Sequence, residues 1–396
     1  MAAPVLPPPL IPVVDACRHA GGRALLVGGC VRDAWMGQRQ KAVDIEVHHI
    51  SLESLRAVLG KFGRISEVGR SFGVLKLRIG REEFDFSLPR RDSKVGAGHK
   101  GIAVVADPEL GIVEAARRRD LTINAIGYDP VSASFEDPFD GRGDISRQVL
   151  RAVDVTTFGE DPLRAVRVVQ FVARFGFEVD PSLESLCANM PLGELPPERV
   201  VGELEKLFLL GRFITKAWHF AHRTGIWAKV VPSWHRDCPA DLDRLAGANI
   251  ESEARRFSLL LAASLQPNEV ESVMDSLRLH RWRGYALRAQ VHALVAAKTQ
   301  LSADPTDTEV VRAAETADMA LLAELLDAPL LSLQADKLGV LSGPLPALLF
   351  GRDLAALGLP PGPAMGALLA ELREAQLLGQ VSSVEDARRW AVERLR

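Results

Sequence analysis

The chain has 396 residues, 47% of them hydrophobic and 25% charged, the balance of an ordinary globular protein with room for roughly two to four domains. A net charge of −3 excludes a whole-molecule field that gathers polyanions, so any nucleic-acid surface has to be a local basic patch. Four separated cysteines (Cys17, Cys30, Cys187, Cys238) with no C-x-x-C pair exclude a disulfide framework or structural zinc and read as reduced thiols in a cytoplasm.

The proline-rich lead, MAAPVLPPPL, is expected to be extended and lacks the basic region of an export signal; 13–19 predict a short helix. No later run reaches the ~18 uninterrupted apolar residues of a membrane span. Leu25, Leu26 and Val27 read as a buried strand, Gly28 and Gly29 as a tight turn, and Val31, Arg32 and Asp33 as the opening of a helix. Such a junction presents free backbone N–H groups to an anion, although the same glycines serve a purely structural turn equally well. In the next strand, 43–47, alternation puts Asp44 and Glu46 on one face and Val43, Ile45 and Val47 on the other. Two carboxylates beside such a turn suggest a metal site.

Ser51 then caps a helix through Leu59, and 72–79 and 83–88 alternate like strands of a small mixed sheet. In the second run Asp85 lies opposite Phe84 and Phe86; by spacing alone it is equally a solvated edge-strand carboxylate. Residues 89–110 carry glycines with Arg90, Arg91, Lys94, His99 and Lys100, and little apolar period before Ile102, which predicts a mobile loop. Arg117, Arg118 and Arg119 lead into the stretch 121–126 and suit either a ligand or a solvated helix end.

From Leu150 onward strand-like alternation gives way to helical periodicity. Asp161 and Pro162 start a helix on which Asp161 and Arg164 are neighbours, the spacing of an ordinary surface ion pair. Glu198, Arg199, Glu203 and Lys206 follow on a further helix, then Trp218, Trp227 and Trp234, then predicted helices at 253–265, 268–279 and 282–297. Pro305 and Thr306 mark a boundary before a helical tail whose Arg352, Arg373, Arg388 and Arg389 suit either an RNA backbone or solvated helix faces.

GGCVRD at 28–33 with K-x-x-D on the next strand, RRRDLTINA at 117–125, EDPFDGRGD at 136–144, GEDPLRAVRVVQFVARFGF at 159–177 and PPERVVGELEKLF at 196–208 resemble, in order, the motifs of the class II tRNA nucleotidyltransferase (CCA-adding enzyme) and poly(A) polymerase family. The resemblance covers roughly residues 24 to 230, and GRDLAALGLPPGP at 351–363 resembles the tail of bacterial members. It implies α/β plus all-α architecture: an extension at 1–23, a mixed-sheet, polymerase-beta-like nucleotidyltransferase head at 24–150, a nucleotide-selecting helical neck at 151–212, a helical body at 213–305 and a helical tail at 306–396.

The resemblance further implies template-independent transfer of CMP and AMP from CTP and ATP to the 3′ end of tRNA with release of pyrophosphate; poly(A) polymerases share these motifs. No membrane and no obligate protein partner is expected. Gly28, Gly29 and Arg32 would hold triphosphate; Arg119, Asp120, Asn124 and Arg167 would bind nucleotide; Asp44 and Asp85, with Glu46, would hold Mg²⁺. Asp161 and Arg164 would select the base, oriented by Arg199, and 89–110 would move between C and A addition. Cytosine and adenine both present an amine donor beside a ring-nitrogen acceptor, matching a carboxylate and a guanidinium, whereas uracil and guanine reverse that order.

The chain departs from the family at two places. Ala42 stands where the family's first metal-binding aspartate falls, so slow or silenced transfer is expected, the extreme being a catalytically silent RNA-binding relative. Ala262 and Ala263 stand where some members carry the His-Asp of a phosphohydrolase domain, so no such activity is expected.

Overall fold

The computed structural model describes residues 2–39, 42–68, 74–94, 102–234 and 241–395. Lys41, Phe72, His99, Lys100 and Cys238, and the glycines of 89–110 (Gly96, Gly98 and Gly101), lie outside these residues. The chain divides into two compact units, 1–232 and 233–396. The boundary expected at 150/151 falls inside the first unit, and the division comes after Pro232.

In the first unit, the lead is not extended throughout: a single 3-10 turn at Pro8–Leu10 runs into α1 (Ile11–His19), because proline in a first turn has its backbone angle preset for a helix. Then come β1 (Arg23–Val27), α2 (Gly29–Trp35), β2 (Asp44–His48) and α3 (Leu52–Leu59), whose Ser51 cap accepts the Ser54 N–H as expected. After β3 (Arg64–Val68), β4 (Val74–Ile79) and β5 (Glu82–Ser87), the stretch expected to be a loop contains a hairpin. Its strands β6 (Arg90–Lys94) and β7 (Ile102–Ala106) pair antiparallel from Arg90↔Ala106 to Lys94↔Ile102. The β-branched run in β7 favours extended backbone, which outweighs the polar composition of β6; the loop expectation is corrected for both strands.

Helix α4 (Ile112–Arg117), a 3-10 turn at Thr122–Asn124, β8 (Gly127–Asp129), β9 (Ser134–Glu136) and α5 (Gly141–Arg147) complete the head. The seven-stranded sheet runs β3-β4-β5-β2-β1-β8-β9, parallel only between β2 and β5. Strands β1 and β2 are therefore interior, and four of the five residues in each are buried.

Strand pairing continues past residue 150: β10 (Val149–Leu150) pairs parallel with β11 (Glu178–Val179), on either side of α6 (Leu163–Phe175). Helices α7 (Pro181–Asn189), α8 (Pro197–Leu210), α9 (Ile214–Arg223) and α10 (Ile226–Val230) follow. Helix α6 packs against α8 and α9. Its Ala165, Val168 and Val169 are fully buried, as are Phe208, Trp218 and Trp227 nearby in the chain.

Among the described residues the second unit is helical. The expected helix at 253–265 is Glu253–Ala263, with Ala262 and Ala263 buried, and 268–279 shortens to Val270–Ser276. The helix expected from residue 282 begins instead at Leu287, because Arg283 and Gly284 both take positive φ and fold Trp282 back onto Tyr285. Thr306 forms a capping box with Glu309 on Asp307–Ala313. Of the tail arginines, Arg373 is tied to Glu315 and Arg389 to Asp386. No helix of the described residues is long and apolar enough to cross a membrane.

Gly141 shows how tightly the head is closed. Its N–H and that of Arg142 donate to Asp137, and a Cβ there would lie 2.2 Å from the Thr122 carbonyl oxygen and 2.8 Å from Ile126 Cγ1. Gly141→Ala is expected to lower stability by about 1–3 kcal/mol, read as a fall in melting temperature; an unchanged melt would mean that the Thr122–Asn124 turn yields freely.

Candidate active site

Strand β1 delivers the chain into Gly28, whose φ of 73° suits a residue without a side chain. A Cβ at Gly28 would also come within 3.0 Å of Arg119 Nη1, so the turn needs glycine for conformation and for space. Arg32, one turn into α2, is 4% exposed. It donates through Nε and Nη2 to Asp33 and through Nη1 to Asn124 Oδ1, and its guanidinium stands 5.2 and 5.0 Å from the ring centres of Phe171 and Phe175. Asp33 accepts a second arginine, Arg174 from α6, at 2.9 Å.

Asp120 accepts from Arg167 Nε at 2.7 Å, from Asn124 Nδ2 at 2.9 Å and from the Leu121 N–H at 2.8 Å. Burial alone would raise its carboxyl; Arg167 and these hydrogen bonds outweigh burial and bring it down to about 2. The expected nucleotide ligands Arg32, Asp120, Asn124 and Arg167 are thus brought together as one bonded network.

Asp44 opens β2 at an exposed position and is the register partner of Asp85 on the parallel neighbour β5; Asp85 lies 3.5 Å from Lys76. Desolvation and the facing charge of Asp85 raise the Asp44 carboxyl, against the pull of Arg119. Glu46, expected to share a metal with them, is 3% exposed and already occupied. Arg118 donates to its Oε2 at 2.9 Å, Arg119 approaches the same oxygen at 3.9 Å, and His48 Nε2 lies 3.3 Å from Oε1. Burial pushes Glu46 up, but His48, Arg119 and Arg118 hold it at about 2. Alternation did put Asp44 and Glu46 on one face, but only Asp44 lies at the open end. The corresponding position before β2, Ala42, is exposed.

Asp161 and Arg164 both face the cleft, yet they do not pair with each other. Arg199 from α8 grips Asp161 with both Nη atoms at 3.1 and 2.8 Å, and Arg164 donates to the carbonyls of Thr157 at 3.0 Å and Arg118 at 2.6 Å. The reading that Arg199 orients the pair thus has a geometric basis through Asp161.

These groups surround a cleft of about 680 Å³ within the first unit, walled by nine arginine and lysine side chains against three aspartates, Asp44, Asp120 and Asp161. Gln170, Phe171, Arg174, Arg90 and Lys206 also line it. None of these five was singled out as a nucleotide ligand from the sequence. The helical period through Arg164, Arg167, Phe171 and Arg174 was the available signal for the α6 members. A cleft of this size and sign suits a small, highly charged anion carrying a planar group. Among the described residues no three His, Cys, Asp or Glu side chains group to hold a metal. Asp44 and Asp85 make a two-carboxylate donor set that fits a divalent cation completing its shell with ligand phosphate oxygens.

Residues 24–151 match the poly A polymerase head domain. The Multifunctional CCA protein of Xylella fastidiosa (strain M12) is 36% identical over 192 residues, covering 46% of this chain and 44% of that protein. The CCA-adding enzyme of Bordetella pertussis is 35% identical over 248 residues, covering 61% of this chain and 65% of that one. The match therefore spans less than two thirds of either relative. Among solved structures, the Bacillus stearothermophilus CCA-adding enzyme in complex with CTP superposes with a TM-score of 0.73 at 23% identity, over 99% of this chain and 98% of that one. The Thermotoga maritima CCA-adding enzyme complexed with tRNA gives 0.69 at 19% identity, over 99% and 97%. At these identities the superpositions show the fold.

The low carboxyl value at Asp120 sets a pH dependence. A folded value near 2 against an ordinary 3.8 means that its stabilisation is complete above about pH 4 and is lost as pH falls towards 2. Asp120→Asn should remove that contribution, on the order of 2 kcal/mol, leaving a melting temperature that falls less steeply between pH 4 and 2. Parallel curves for both proteins would contradict the assignment.

Proposed function

We propose that this chain, whose residues 24–151 match the poly A polymerase head domain, belongs with the class II CCA-adding and poly(A) polymerase family and transfers CMP and AMP from CTP and ATP to the 3′ end of a tRNA, releasing pyrophosphate. The observation that carries the reading is the cationic cleft that runs from the Gly28–Gly29 turn to Asp161 and Arg164 on one wall. Gly28, Gly29, Arg32 and Arg119 meet the triphosphate, while Asp120, Asn124 and Arg167 hold the nucleotide's position. Arg164 keeps most of its N–H donors beyond the two carbonyls it serves, so it donates to a ring nitrogen while Asp161 accepts from the adjacent exocyclic amine. That pairing admits C and A and leaves polar groups unmatched for U and G.

Nucleotidyltransferases of this family generally use a divalent metal. Asp44 and Asp85 are the residues that would hold Mg²⁺, whose contribution there is neutralisation of phosphoryl charge. Glu46 instead positions Arg118 and Arg119 from beneath. The full chain, incubated with tRNA lacking its terminal nucleotides, Mg²⁺ and each labelled nucleotide in turn, should incorporate C and A only; incorporation of none, with no nucleotide binding, would overturn the reading. Arg164→Ala should admit UTP or GTP; an equal loss of rate for all four nucleotides would contradict base selection.

A second reading is favoured by one position. Ala42 offers no side-chain carboxylate, and Glu46 is occupied by Arg118 with Arg119 near, so the protein binds nucleotide and RNA while transferring slowly. Losing one electrostatic group of this kind costs ~10²–10³ in rate. Ala42→Asp should recover a gain of that order. Glu46→Gln should weaken nucleotide affinity through Arg118 and leave the Mg²⁺ dependence of the remaining activity in place. A shifted Mg²⁺ midpoint in Glu46→Gln would return Glu46 to the metal.

A further inference from the structure

Two buried polar side chains of β2, Glu46 and His48, are 3% and 1% exposed, and neither lines the cleft. Alternation sets both on one face of the strand. Taking a carboxylate and an imidazole out of water costs free energy that an apolar pair of similar volume would not cost, so their presence inside the sheet needs a reason. Their partners supply one. His48 Nδ1 donates to the carbonyl of Leu110, which lies between β7 and α4, at 3.1 Å, and Nε2 stands 3.3 Å from Glu46 Oε1. The other oxygen of Glu46 accepts from Arg118, the C-cap of α4, at 2.9 Å. Two residues of one strand, in contact with each other, thus strap both ends of a six-residue helix to the sheet.

What the strap holds in place is a carbonyl at the edge of the cleft. The backbone oxygen of Arg118 accepts from Arg164 Nη2 at 2.6 Å, one of the two carbonyls that aim this guanidinium. A helix as short as α4 is marginal by itself, so the position of that carbonyl is set by what ties α4 down. Arg117 adds a half-exposed bond to Asp154 at the same end, but the tie through Glu46 is the buried one. We propose that His48 is a positioning residue for base selection, which holds Glu46 and, through it, Arg118, and so sets the aim of Arg164 from beneath the cleft. The proposal rests on Arg164 reading the base.

Two amide variants separate the two ends of the imidazole. His48→Asn carries its amide to the place of Nδ1 and releases Glu46, whereas His48→Gln carries its amide to the place of Nε2 and keeps hold of Glu46. Binding of CTP and UTP to the full-length proteins by calorimetry, without RNA, is the measurement, with a melting curve for each variant. The wild type should bind CTP more tightly than UTP, and His48→Asn should narrow that ratio about tenfold while His48→Gln keeps it. A folded His48→Asn with the wild-type ratio overturns the proposal even if both nucleotides bind more weakly, since an equal loss is what a merely structural role produces. Narrowing to the same extent in His48→Gln overturns the route through Glu46. If His48→Asn melts below the assay temperature, Glu46→Gln, which loosens the same tie from its other partner, is measured in its place and has to narrow the ratio; an unchanged ratio there overturns the proposal. A wild type that binds CTP and UTP equally overturns base reading by Arg164, and one that binds neither overturns the cleft reading; the proposal falls with either.

Discussion

Like charges held around one cavity repel, and the first unit is arranged around that constraint. Two unit charges 4 Å apart interact at about 4 kcal/mol in surroundings of intermediate polarity, and nine cationic side chains wall the cleft. Four carboxylates make the arrangement tolerable. Asp33 holds Arg32 and Arg174, Glu46 holds Arg118 with Arg119 near, Asp120 holds Arg167, and Asp161 holds Arg199. Each carboxylate sits on or beside a different element: α2, β2, the turn after α4, and the approach to α6. The ion pairs that relieve repulsion are therefore also the ties between the sheet and the helices after it. Pairs of this kind add little net stability, but where both partners are buried, as in Arg32–Asp33, deleting one leaves an unmatched charge at about 3–5 kcal/mol.

Arginine suits this task better than lysine would. Its planar fork divides its donors between a structural partner and a ligand, as Arg164 shows with two carbonyls served and further N–H groups remaining. Its flat face also packs on aromatic rings. Phe171 and Phe175, one helical turn apart and nearly parallel at 10°, receive Arg32, with Arg167 and Arg174 lying over one ring each. The cleft wall is stiffened by stacking as well as by charge.

What was legible in the sequence is what depends on near neighbours. The apolar run of β1, the glycine turn, the alternation of β2 and the Ser51 cap are local patterns, and each formed where expected. The spacing of Asp161 and Arg164 did place both on the cleft, but the partner that grips Asp161 comes from 38 residues away, a distance no periodicity reports. Glu46 illustrates the same limit: alternation set its face correctly, while its burial depends on Arg118, 72 residues further on. The hairpin of β6 and β7 was hidden by Arg90, Arg91 and Lys94, which resemble loop composition although the backbone of Arg90–Lys94 pairs with Ile102–Ala106.

The grip of Arg199 on Asp161 crosses from one helix to another. Asp161 is held on one side by its own helix, through the Leu163 N–H at 3.1 Å, and on the other by Arg199 from α8. Its placement therefore depends on how α6 and α8 pack against each other as well as on α6 alone. Under the proposed base-selecting role of Asp161, the sharpness with which a base edge is read would therefore depend on the packing of α8 against α6 as well as on the groups that meet the base.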